Sequence, residues 1–216
     1  GSRVQYGTDE SYSMGYYGFN PDTTSNGSAA MVSNVLSGSN TIRTAWTAGD
    51  LRITQTLTYN SGDNYVRYNW AIQNISSTGV ITDLRFVHGQ DTCLGGEEEG
   101  VCGFGDNGAG FWLSGPKAIG VRRTDSGEET RFTLQGITAP YDYASREWGE
   151  IDTNLDSYGA INDPSGSTAD KLDEEEWTDN TYALEWRHAS LAAGAVWTID
   201  AIENFILQPF DAVVID

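Results

Sequence analysis

Between residues 64 and 73 apolar and polar side chains alternate, with Val66, Tyr68, Trp70 and Ile72 on one parity and Arg67, Asn69 and Ala71 on the other. A period of two places one parity on a buried face and the other toward solvent, which is the pattern of a half-buried strand. Thr41 to Thr47, Leu51 to Tyr59, Val80 to His88, Lys117 to Arg123, Arg131 to Gln135 and Ala195 to Leu207 read as strands too. So does Thr181 to Arg187, where Tyr182, Leu184 and Trp186 alternate with Ala183, Glu185 and Arg187. Ser61-Gly62-Asp63 is a hairpin loop between two such runs, and Ser76 to Gly79 is a similar break. No helical pattern of ten or more residues separates the early runs, so Thr41 to His88 is predicted to be an antiparallel meander rather than a βαβ series.

Two irregular stretches interrupt the strands. Gly89 to Gly115 is rich in glycine and acids, and residues 136 to 180 carry Pro140-Tyr141-Asp142-Tyr143, Trp148 and the run Asp173 to Glu176. Long loops in a compact domain are commonly functional. The expected architecture is all-β, an antiparallel two-sheet sandwich of about ten strands with two long ordered loops. Residues 1–216 read as a single ligand-binding domain, with Gly1-Ser2 as an expression-vector remnant and the only helix a short turn near residues 168 to 176.

The formal charge is −19, from 31 acidic and 12 basic residues. That balance argues against nucleic acid as a partner, and no apolar run is long enough for membrane insertion by a helix. Surplus carboxylates serve solubility in a salty extracellular setting, or converge on Ca²⁺, which takes six to eight oxygen ligands. Cys93 and Cys102 are the only cysteines and flank three glycines and three glutamates. A disulfide would clasp that loop, stabilising by about 2 to 3 kcal/mol, and implies an oxidising, extracellular compartment.

Catalytic motifs are sparse. His88 and His188, the only histidines, sit in strand patterns and read as structural. The spacing Gly103-Phe-Gly105-Asp-Asn-Gly108 opens no helix and is no phosphate cradle. A carboxylate pair for glycoside hydrolysis needs a separation that a sequence does not supply. Calcium is the stronger expectation: Asp91, Asp106, Asn107, Glu97 and Glu99 lie on glycine-rich backbone that lets carbonyls turn inward. The bland counterpart is a solvated turn, and for Asp173 to Glu176 with Asp179 a plain acidic surface run. Trp112, Tyr141, Tyr143 and Trp148 fall in the irregular stretches, where aromatic rings above a rigid sandwich can hold sugars or peptides. Trp112 reads equally well as core.

Three segments carry a family resemblance: Leu57 to Tyr68, Asp83 to Asp91 and Asp106 to Trp112. Together they resemble the calcium-dependent peptide-binding domain of large bacterial repeat adhesins. The resemblance implies a secreted, cell-surface β-sandwich in which Ca²⁺, held by Asp91, Asp106 and Asn107, orders loops and helps grip the C-terminal carboxylate of a peptide. The Cys93 to Cys102 insertion departs from that family. The expectation is thus a non-enzymatic, monomeric module within a longer chain, binding peptide or glycan on another cell surface. Its alternatives are a carbohydrate-binding module with structural calcium and a glycan-active enzyme using a carboxylate pair.

Overall fold

The computed structural model describes residues 1–8, 10–14, 29–91, 99–104, 118–125, 128–147, 151, 155–156, 159, 161 and 178–207. Thirteen strands occur among them: β1 (Ser2–Tyr6), β2 (Glu10–Met14), β3 (Ala30–Leu36), β4 (Thr41–Ala48), β5 (Leu51–Thr58), β6 (Tyr65–Asn74), β7 (Ile81–Asp91), β8 (Glu99–Phe104), β9 (Ala118–Asp125), β10 (Glu128–Gly136), β11 (Asp142–Glu147), β12 (Thr178–Leu191) and β13 (Val196–Leu207). Every described pairing is antiparallel. Sheet A runs β2-β1-β7-β12-β11, and sheet B runs β8-β9-β10-β13-β6-β5-β4-β3. The first residues of β12 also pair with β8, through Thr178 with Gly100 and Asp179 with Glu99, which ties the two sheets at one corner.

The all-β, two-sheet antiparallel sandwich is the expected class. The alternating parity of β6 does what a period of two requires: Trp70 and Ile72 enter the core against Leu51 and Ile53, while Arg67 is exposed. Sheet A contributes Val4, Leu84, Phe86, Leu184 and Trp186 to the same core. Trp70 lies between the sheets, its ring centroid 5.3 Å from Phe86 and 6.0 Å from Trp186. Aromatic pairs at such tilted separations add about 0.5–1.5 kcal/mol beyond the area they bury. The hairpin loop at Ser61-Gly62-Asp63 is present, with Gly62 at φ 99°, a conformation glycine adopts freely.

The meander ends one strand earlier than the sequence suggests. β3 to β6 are consecutive neighbours, but β6 pairs with β13, and β7 crosses into sheet A between β1 and β12. Asn74 explains the crossing. Fully buried at the end of β6, it donates from Nδ2 to Gly79 O at 2.9 Å and to Leu191 O at 2.8 Å, while its Oδ1 accepts from Ser76 N at 2.9 Å. These bonds pin the Ser76 to Gly79 break against sheet A. Within the irregular stretches, β8 and β11 are strands, and Ile151, Leu155 and Asp156 are helical. The helix expected near residues 168 to 176 falls outside the described residues.

Candidate functional site

Sheet A is covered on both faces. Its outer face carries Val87, Ala144 and Ala183, and these form a second small core with Ile151, Leu155 and Ile161. Residues on the same parity are consequently buried even when charged. Glu185 and Ala183 have no exposed surface, and Arg3 is 1% exposed. Arg3 Nη2 pairs with Asp156 Oδ1 at 2.5 Å, and Gln5 Nε2 donates to Leu155 O at 2.7 Å, so the covering segment is bound polar group to polar group.

Where that cover ends, the outer face opens into a cleft of about 560 Å³, within the range of small-ligand sites. Gln5, Arg85 and Arg187 form one cross-strand row along its floor, by the register of β1 on β7 and of β7 on β12. Asp83 and Ala189 lie one row further along the same face, and Thr8 lines the end at the turn after β1. Arg85 donates from Nη1 to Gln5 Oε1 at 3.2 Å and from Nη2 to Glu185 Oε2 at 2.7 Å, while its buried Nε has no partner. The other oxygen of Glu185, Oε1, accepts from Arg187 Nε.

Arg187 is thereby held edge-on by a buried carboxylate, and the Tyr141 ring holds its face, with Cζ 4.0 Å from the ring centroid. A guanidinium so fixed loses little freedom on binding. Its side chain remains 41% exposed, and among the described residues its two terminal nitrogens have no partner. A rigid guanidinium with its fork free is the geometry that takes a carboxylate through two parallel hydrogen bonds. Asp83, at φ 55°, is the one described non-glycine residue with a positive φ. Such a conformation costs energy and tends to be kept at functional rims.

A second polar group lies inside the sandwich. Glu203, 6% exposed, accepts from Tyr182 Oη at 2.5 Å and from Tyr68 Oη at 2.8 Å. Burial raises the Glu203 carboxyl above its usual value, against the lowering by the two tyrosine hydrogen bonds and the N-terminal charge. Burial together with the neighbouring Glu203 charge raises Tyr68. His88 packs between Tyr68 and Trp70, with ring centroids 4.8 and 4.6 Å away. Ser2 Oγ meets its Nδ1 at 2.8 Å, and burial pushes the ring's pKa down. His188 lies with its ring tilted against Trp197. Both histidines sit among core aromatics, as the strand patterns suggest.

The sequence-derived site residues are scattered. Tyr141 is exposed at the cleft margin under Arg187, whereas Tyr143 is half-buried and packs on the main core. Asp91 ends β7 opposite Thr181, and Glu99 starts β8 opposite Asp179, so backbone register brings both to the start of β12. Cys102 lies on β8 opposite Val121. Asp106, Asn107, Glu97, Trp112, Trp148 and Cys93 lie outside the described residues, as does the Asp173 to Glu176 run. Among the described residues no group of three metal-ligating side chains is present. Gln5, Arg85, Glu185 and Arg187 escaped sequence reasoning because Glu185 and Arg187 stand on the parity read as solvated. The available signal was Ala183 and Gly89, small residues on the outward parity of neighbouring strands, which mark a covered face.

No protein-family model matches the chain, and no curated protein does. Solved structures do. The chain is similar in fold to a protein assigned as a kojibiose phosphorylase, from the human microbiome, with a TM-score of 0.51 and 10% identity over 96% of this chain. It spans only 22% of that protein's length. A protein assigned as an aldose 1-epimerase, from Escherichia coli K12, matches with a TM-score of 0.42 and 9% identity, over 84% of this chain and 69% of that one. At 10% identity the likeness to the first of these speaks to the fold alone.

Proposed function

We propose that this domain is a ligand-binding module that captures a carboxylate-bearing ligand in the cleft on sheet A, with the C-terminal carboxylate of a peptide as its ligand. The observation that carries the reading is Arg187: oriented by Glu185, backed by Tyr141, and free at both terminal nitrogens among the described residues. Arg85 beneath it supplies a second positive charge that Glu185 only shares. Arg85 and Arg187 outnumber the buried Glu185 they share, so the cleft floor presents positive charge to an anionic group in a chain of net charge −19, with Asp83 as the acid at its rim. Asp83 and Thr8 on the rim offer hydrogen-bond partners for a ligand backbone. The role is binding rather than catalysis, and the setting is the surface of a cell.

Calcium belongs to this proposal as a structural ion near the corner where β12 meets β7 and β8. Support comes from the register that brings Asp91, Glu99 and Asp179 to one end of that strand. The cleft lies elsewhere on β12, so carboxylate capture and calcium are separable. Isothermal titration with a short peptide and with its C-terminally amidated form, with and without chelator, tests the capture and its independence of calcium, and a melting temperature lowered by chelator is the result expected of the structural ion. Binding of the free-acid peptide alone, weakened by Arg187→Gln and kept in chelator, is the expected result. Equal binding of the amide contradicts carboxylate capture, and sugar turnover by the protein contradicts the non-enzymatic role.

A further inference from the structure

The outer face of sheet B carries a second, separate cationic surface. Register places Arg43 on β4, Arg52 on β5 and Arg67 on β6 on the parity opposite Ile53, Trp70 and Ile72, and all three are exposed. Among the described residues none of the three takes part in an ion pair. Three unneutralised arginines on one face are unexpected in a chain with 31 acids. The described acid on the same parity of β3 to β6 and β13 is Asp200, whose Oδ1 accepts from Asn69 Nδ2 at 2.9 Å.

The surface is also shaped. A groove of about 530 Å³ runs between Arg43 and Arg52, floored by Ala45, Thr54 and Ala71 and bordered by Gln73. Ala45 is only 3% exposed although its parity faces outward. Further along the face stand Thr56 and Asn69, opposite each other across β5 and β6. The floor is thus short and mostly apolar, with Thr54 between two alanines, and the border combines the two arginines with Ser33, Gln73 and the exposed Val35 and Val196.

We infer that this face binds an acidic oligosaccharide. Strand geometry of about 3.3 Å per residue and 4.8 Å between strands puts neighbouring arginines roughly 12 to 14 Å apart. Charges this sparse suit a glycan bearing an acid on every second or third sugar. They do not suit duplex nucleic acid, with one charge per about 1.7 Å of axis. Single strands need stacking aromatics, and the groove lining has none. The threonine, asparagine and glutamine groups supply hydrogen bonds for sugar hydroxyls.

The test is titration calorimetry with a hyaluronan oligosaccharide, which alternates glucuronate with a neutral sugar. Controls are a neutral chitin oligosaccharide, single-stranded oligothymidine and polyglutamate. Binding to hyaluronan is expected to weaken with added salt and to fall by about tenfold or more in the Arg43→Gln/Arg52→Gln variant. Both positions are exposed, so an unchanged melting temperature confirms that the variant is folded. Arg187→Gln, on the other sheet, leaves this binding intact, so failure here is distinguishable from failure of the peptide cleft. Absence of binding, binding that survives the double variant, or a preference for oligothymidine or polyglutamate overturns the inference.

Discussion

Arg85 Nη2 lies 2.7 Å from Glu185 Oε2, joining β7 to β12 through a carboxylate with no exposed surface. The same carboxylate accepts Arg187, so one buried acid orients two arginines of unlike exposure. A buried pair is expensive to form and more expensive to break, because removing one partner strands the other's charge.

Glu185→Ala leaves Arg85, only 7% exposed, without its anion. The expected loss is about 3–5 kcal/mol of stability, read as a lower denaturant midpoint. Arg187→Gln, which removes the outer and partly solvated arginine, should cost no more than about 1 kcal/mol. Equal losses would mean that the buried pair with Arg85 adds nothing to the pair with Arg187.

Gly89 is fixed by close approach rather than by a turn. It pairs with Ala183, and a Cβ there would stand 2.0 Å from Tyr182 O and 2.7 Å from Ala183 Cβ. Gly89→Ala must therefore push β7 from β12, the two strands that carry Arg85 and Arg187. A loss of about 1–3 kcal/mol is expected, with weaker peptide binding alongside. An unperturbed melting temperature would show that the two strands are not packed this tightly.

The buried histidine and glutamate pull stability in opposite directions with pH. His88 is held below its ordinary 6.5 by burial, so the unfolded chain binds the extra proton. Its contribution is complete above about pH 6.5 and is lost on acidification, by at most about 1.4 kcal/mol per pH unit. Glu203 is raised above 4.5, so its contribution is present in acid and is lost as pH rises through the raised value. Denaturation from pH 7 to 5 should show His88→Phe losing less stability than the parent chain, and Glu203→Gln losing more. Parallel curves for all three proteins would contradict the burial of both groups.

Tyr141 separates binding from folding. It is 58% exposed and lies against Arg187. Tyr141→Ala should change stability by no more than about 1 kcal/mol, the value of an exposed cation–π contact. It should weaken peptide binding by releasing the guanidinium. Unaltered affinity would remove Tyr141 from the site.

The strands were legible because their alternation is strong where one face is buried. β4, β5 and β6 fall within a residue or two of the sequence expectation, and Trp70 and Ile72 enter the core from the parity that pattern assigns. The crossing of β7 was not legible, since it depends on Asn74 bonding to Leu191, a residue 117 positions away. β1 and β2 read poorly because both their faces are used. Val4 faces the main core, while Arg3 and Gln5 are buried under the segment holding Leu155 and Asp156. The cleft was missed for the same reason. A charge on the outward parity of a strand reads as solvated, and only the cover over Ala183 and Val87 turns Glu185 into an interior acid. Of the aromatic residues expected at a site, Tyr141 lies at the cleft margin and Tyr143 on the core.

The most direct measurement is calorimetric titration of the intact chain with one peptide in free-acid and C-terminally amidated forms, repeated for Arg187→Gln. Capture through the free fork of Arg187 requires the acid to bind, the amide to bind at least about tenfold more weakly, and the variant to lose that difference. Equal affinities for acid and amide, or a preference that survives Arg187→Gln, would contradict the assignment of the sheet A cleft.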